Sequence, residues 1–269
     1  MTQNEQGQTE SVATGADCCY VYCVVSPCAE AAGPAFSGIE ERHVFGITHR
    51  DLCALAHECP LQPYQSSDTA TASAWVLAHH RVVEEAWQRY GSVLPLTFNT
   101  IVTPSSTGNA RERVESWLKA EYDSLHKKLL GLTGKAEYGV QVFWDTALVA
   151  RTISEHDSEI ASLQHEIAAM PRGTAYMYRQ KLGTLVKKRL ETQAESEFKE
   201  LYERISRCST KVHTERIKDS GTGNQMLMNL SCLVDPGKGN DLKAELDTIG
   251  RKEGFSVRMV GPMPPYSFC

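Results

Sequence analysis

FSVRMVGPMPPYSF, residues 255–268, is the last patterned stretch of the chain, and the second half is read outward from it. Phe255, Val257 and Met259 alternate with Ser256, Arg258 and Val260, the period-two spacing of a strand. Gly261, Pro262, Pro264 and Pro265 follow. Proline has no N–H to donate and its φ is fixed, so the ladder is expected to stop at Gly261 and pass into an extended, polyproline-like tail. That tail still carries Met263, Tyr266 and Phe268. So much apolar and aromatic surface near a chain end points to docking, either on the protein's own body or on a partner.

Two further strands belong with this one. In EYGVQVFWD, residues 137–145, Tyr138, Val140, Val142 and Trp144 alternate with Glu137, Gly139, Gln141 and Phe143; MLMNLSCLV, residues 226–234, is the second, and residues 241–249 form a short helix after it. Residues 151–220 are the most polar part of the chain and split at Pro171-Arg172-Gly173. Ile153, Ile160, Leu163, Ile167 and Met170 keep a narrow stripe before the split, and Leu190, Ala194, Phe198, Leu201, Ile205, Cys208 and Val212 keep one after it. The spacing predicts a helical hairpin over 151–220 that stands partly off the body or packs on a partner, because so narrow a stripe buries little. Leu201 and Ile205 therefore join Met263, Tyr266 and Phe268 as candidates for binding a partner or clamping two domains together. The order β-α-α-β-α-β predicts a modified ferredoxin-like domain with one strand exchanged for helix.

The first half reads as a separate α+β domain. CCYVYCVV, residues 18–25, is a continuous β-branched and aromatic run, as in a strand buried on both faces. Residues 29–38 are turn-rich, 43–47 predict a second strand, and 48–58 have helical spacing with Thr48 as N-cap. Residues 68–90 predict a long helix with Trp75, Ala78, Val82, Val83 and Trp87 on its apolar side and Gly91 as its stop. Residues 93–102 predict an edge or bulged strand because of Pro95, and 108–130 a single amphipathic helix. The expected organisation is a disordered tail at 1–17, an N-terminal α+β domain at 18–133 and the ferredoxin-like domain at 134–269.

With 269 residues, 41% apolar and 23% charged, the composition is that of a globular protein. Residues 1–134 carry a net charge of −6 and residues 135–269 one of +1, so neither half has the basic excess that binding nucleic acid requires. No apolar run is long enough for a membrane span, and MTQNEQGQTE is no export signal, which predicts a cytoplasmic protein. The nine cysteines are then expected as buried thiols rather than disulfides. Cys18, Cys19, Cys23 and Cys28 contain no Cys-x-x-Cys pair, and strand alternation sends the first two to opposite faces.

Little else carries chemistry. His49, Cys53 and His57 fall on one face of the predicted helix with Cys59 beyond it, types that suit zinc, but three successive turns span about 12 Å and cannot meet on one ion. No metal site or cofactor is assigned to them. Asp219-Ser220-Gly221 reads as a helix-ending turn, and neither Gly134-Lys135 nor Gly237-Lys238 has the rest of a phosphate loop. His79 and His80 are adjacent on a helix and must diverge. No nucleophile, base and oxyanion donor assemble, so no catalytic residue is named and the chain does not read as an enzyme.

Four blocks carry a resemblance: Tyr20-Val21-Tyr22; Val93-Leu94-Pro95-Leu96 with Phe98 and Thr100; Glu137-Tyr138-Gly139-Val140; and the ending Gly261-Pro262-Met263-Pro264-Pro265-Tyr266-Ser267-Phe268. Together, in this order, they resemble the GvpL/GvpF family of gas vesicle proteins over about residues 20–268. The chain departs from the usual pattern at Thr97-Phe98-Asn99, where members have Arg-Phe-Gly, at Met263, where they have Trp, and at 229–234, where Asn-Leu-Ser-Cys-Leu-Val replaces Asn-Ala-Ala-Phe-Leu-Val. The resemblance implies two α+β domains and a non-enzymatic accessory protein of gas vesicle formation, in the cytoplasm and at the gas vesicle. Its implied partners are the small hydrophobic gas vesicle shell protein and other gas vesicle accessory proteins during nucleation and assembly, with a minor structural role in the vesicle as an extension. The alternatives are a metal-binding module using His49, Cys53 or His57, and a coiled-coil adaptor using residues 151–218.

Overall fold

The computed structural model describes residues 18–26, 35–106, 108–217 and 224–269. The expected tail at 1–17, Cys28, most of the stretch 29–38 and the Asp219-Ser220-Gly221 turn lie outside these residues. The described residues group into two units: those up to 133 together with 264–267 and 269, and 134–263 together with 268.

In the first unit β1 (Cys18–Val25) is buried along its whole length, as its unbroken apolar run requires. It is central to an antiparallel sheet of order β2-β3-β1-β4, with β5 also on β1. The partners are β2 (Phe45–His49), β3 (Leu52–Cys59), β4 (Val93–Pro95) and β5 (Ile101–Val102). Between Val21 and Cys23 the β1–β3 register slips by one residue. The slip shifts the alternation, so Cys18, Tyr20 and Tyr22 share one core cluster with Cys23 and Val25.

Residues 48–58 are not a helix. They form a hairpin in which His49 pairs with Leu52 and Arg50 takes a left-handed φ of 55°. Leu52 through His57 are buried because β3 lies between β1 and β2, and a strand buried on both faces has the same apolar density as a buried helix.

Helix α1 (Thr69–Tyr90) has the expected bounds. Asp68 accepts from the backbone N–H groups of Ala70 and Thr71, and Gly91 closes the helix at φ 71°. Its Val82, Val83 and Ala86 enter the core, with Trp75, Ala78 and Trp87 packed at the edge. The single helix expected over 108–130 is two, α2 (Ala110–Ala120) and α3 (Tyr122–Leu132), with Glu121 between them at ψ 12°. Each buries its own row, Ala110, Val114 and Leu118 in one and Leu125, Leu129 and Leu132 in the other.

The second unit runs β6 (Ala136–Asp145), α4 (Thr146–His156), α5 (Ser158–Ala169), α6 (Arg172–Arg207), β7 (Lys211–Thr214), β8 (Asn224–Val234), α7 (Gly239–Gly250) and β9 (Phe255–Met263). Its antiparallel sheet has the order β7-β8-β6-β9. The long second helix stops at Arg207, earlier than its stripe predicts. Val212 keeps the helical spacing, yet Thr210, Val212 and Thr214 also alternate as β-branched residues, and Val212, on β7, pairs with Cys232 of β8. No strand has been exchanged for helix: β7 is the strand that the sequence reading lacked. The helices before α6 also start earlier than expected and are divided at Asp157, which caps α5 through Glu159 and Ile160.

The final strand passes Gly261 and Pro262 and ends at Met263, opposite Glu137. A register shift between Glu137 and Gly139 and the position of β9 at the sheet edge accommodate a residue with no N–H. The tail is not polyproline: Pro264 and Pro265 are buried and Tyr266–Phe268 form a 3-10 turn.

Candidate functional site

Two places gather the side chains that the sequence singled out. The first is the polar heart of the first unit. The Tyr20 Oη accepts from the Asn99 N–H at 3.2 Å, so its own proton goes to His79 Nδ1 at 2.8 Å. The Tyr22 Oη accepts from the Ile39 N–H and donates to His57 Nδ1, both at 2.8 Å. That leaves His57 Nε2–H to donate to the Tyr64 Oη at 2.9 Å. Asn99 closes the set, accepting from the Tyr64 N–H at 2.9 Å and donating to the Tyr64 carbonyl at 3.2 Å. Both imidazoles are thereby fixed as neutral tautomers. Burial pushes each down to about 4, with the Arg42 charge a smaller cause at His57.

Asn99 stands at φ 68°, in the left-handed region that glycine favours. Asparagine is the side chain that best tolerates that region, and here its amide also ties Tyr64 to the 93–102 segment. The departure noted at Thr97-Phe98-Asn99 thus has a physical account. The two adjacent histidines diverge, His79 to Tyr20 and His80 to the tail. The helix face on which His49, Cys53 and His57 were placed does not exist, because His49 is on β2 while Cys53, His57 and Cys59 are on β3. Among the described residues no group of three His, Cys, Asp or Glu side chains is placed to hold a metal ion.

The second place is the tail. Tyr266 lies against the first unit's core, its Oη 2.7 Å from His80 Nδ1 and the two rings stacked at 5.5 Å. Phe268 meets the His213 ring of the second unit at 4.6 Å. Met263 is half-buried at the end of β9. The aromatic groups of this ending are therefore engaged within the chain. Leu201 and Ile205 are fully buried against the second sheet, with Val140, Val142 and Leu230 in the same cluster. They are core residues: the C-terminal half of α6 lies on the sheet, and its narrow stripe packs there. The apolar side chains left open on α6 are Tyr176 and Met177, 62% and 71% exposed in its first turns, which the stripe did not single out.

No helix is long and apolar enough to cross a membrane, among the described residues. The profile of the family described as "Gas vesicle synthesis protein GvpL/GvpF" matches residues 18–269. Gas vesicle protein L1 of Halobacterium salinarum is 26% identical over 258 residues, covering 93% of this chain and 89% of its own. Gas vesicle protein L of Haloferax mediterranei is 26% identical over 244 residues, covering 87% and 72%. The crystal structure of the gas vesicle protein GvpF from Anabaena superposes with a TM-score of 0.76 at 17% identity over 94% of this chain and 98% of that one. Gas vesicle protein GvpF from Microcystis aeruginosa gives 0.68 at 15% identity. At such identities the two structures speak for the fold alone.

Proposed function

The chain belongs to the GvpL/GvpF family of gas vesicle synthesis proteins, and from that premise we propose that it is an accessory protein of gas vesicle assembly. It binds the shell protein and other accessory proteins while the shell is nucleated, works by association rather than catalysis, and is found in the cytoplasm and at the vesicle. The observation that carries this reading is the family match over residues 18–269 together with curated gas vesicle L proteins aligned over 93% and 87% of the chain. In the same reading the second unit, with its β-α-β-β-α-β order and strands β7-β8-β6-β9, is a ferredoxin-like arrangement extended by the helical hairpin.

Supporting it further, Tyr20, Tyr22, His57, Tyr64, His79 and Asn99 of the first unit are engaged in one hydrogen-bonded set within the protein. The exposed Tyr176 and Met177 on α6 supply apolar surface for association. Co-purification with the shell protein from a vesicle-forming cell is the test: the two are expected together, and no association in any order of mixing overturns the proposal. Depleting the protein in that cell is expected to abolish intact shells; shells that form normally without it count against a role in nucleation.

A further inference from the structure

Helix α4 is amphipathic, yet none of its residues is buried, whereas α5, α6 and α7 each bury part of their apolar face. A recess of about 420 Å³ lies against its apolar side. Trp144 and Phe255, with rings 6.5 Å apart, form its floor, and Leu148, Val149 and Ile153 of α4 form one wall. An apolar recess of this size with a few polar groups at its mouth has the form of a binding pocket.

The mouth has a definite sign. Lys252 Nζ lies 2.6 Å from each Glu197 carboxylate oxygen, and Gln193 Nε2 donates to the same carboxylate at 3.0 Å, so this pair is neutral as a unit. Glu253, also on the mouth, makes no ion pair among the described residues. His156, also on the mouth, holds its Nδ1 2.8 Å from the Thr152 carbonyl. A carboxylate outside any ion pair at the mouth of an apolar recess asks for a cationic partner group.

We propose that this cavity is a docking site for a partner helix that inserts one aliphatic or aromatic side chain onto Trp144 and Phe255 and sets an adjacent lysine or arginine against Glu253. The site uses neither the tail nor the exposed start of α6, so it stands apart from the assembly role and can fail without it.

The test uses the full chain and two fluorescein-labelled helical peptides with the same leucine face, one flanked by lysines and one by glutamates, read by fluorescence anisotropy. The lysine peptide is expected to bind with a stoichiometry of one and at least about tenfold more tightly than the glutamate peptide. Thr152→Trp, which fills the recess from an exposed position, and Glu253→Lys, which reverses the mouth, are each expected to weaken the lysine peptide at least about tenfold with the circular dichroism spectrum unchanged. Equal affinity for the two peptides, no binding of the lysine peptide, or indifference to both substitutions overturns the proposal. Loss of shell-protein association with peptide binding intact would instead count against the assembly role alone.

Discussion

His57 and His79 are buried as neutral rings, each accepting a tyrosine proton, and folding must keep them that way. Their folded values of about 4 lie below the 6.5 of an exposed ring, so between these limits the unfolded chain binds the extra protons. The stability they contribute is fully present above pH 6.5 and is lost as pH falls toward 4, by about 1.4 kcal/mol per pH unit for each ring. Urea midpoints of the first unit are therefore expected to drop steadily over that window; a flat profile from pH 6.5 to 4.5 would contradict the neutral tautomers. At Asn99 the left-handed backbone makes a similarly direct prediction. Asn99→Val is expected to cost about 1–3 kcal/mol in the same urea assay, since a β-branched residue is strained there. Asn99→Gly relieves the backbone but forfeits the two Tyr64 hydrogen bonds, for a loss of about 1 kcal/mol.

Helix α6 changes role along its length, and substitutions along it should divide accordingly. Leu201→Ala is expected to cost about 2–5 kcal/mol of the second unit's stability by opening a cavity under the sheet, while Met177→Ser should stay within about 0.5 kcal/mol. Chemical denaturation of the two variants separates these outcomes. This division also marks the limit of what was legible beforehand. Elements with a regular apolar spacing and a clear stop, such as α1 before Gly91, could be read to within a residue. So could β1, whose eight apolar positions leave no room for a solvent face. The failures share one cause: β3 and β7 satisfy helical and strand spacing at once, and only their neighbours decide between them. Leu52–Cys59 is held by β1 on one side and β2 on the other, and Lys211–Thr214 by β8. Leu201 and Ile205 were recognisable as an apolar stripe, but whether a stripe meets a sheet or a partner depends on where the helix lies, which periodicity does not encode. The cavity under α4 had no local signal, because its floor joins residues 144 and 255 from two strands.

At the scale of the whole molecule, the ending belongs to what came first. Residues 264–267 are part of the first unit, and Tyr266 packs on its core although it lies 186 positions beyond its partner His80. Removing residues 264–269 is expected to lower the first unit's stability by about 1–2 kcal/mol, the worth of one partly buried aromatic group, and to raise hydrogen exchange at α1; unchanged exchange there would mean that the tail is dispensable. Tyr266→Phe, which keeps the ring and loses the bond to His80, should account for about 0.5–1.5 kcal/mol of that effect. The contact also carries a kinetic consequence. Bringing Tyr266 to His80 closes a loop of 186 positions, whereas the strands of the first sheet meet across far shorter separations. The first unit's own pairings are therefore expected to form before the tail docks on them.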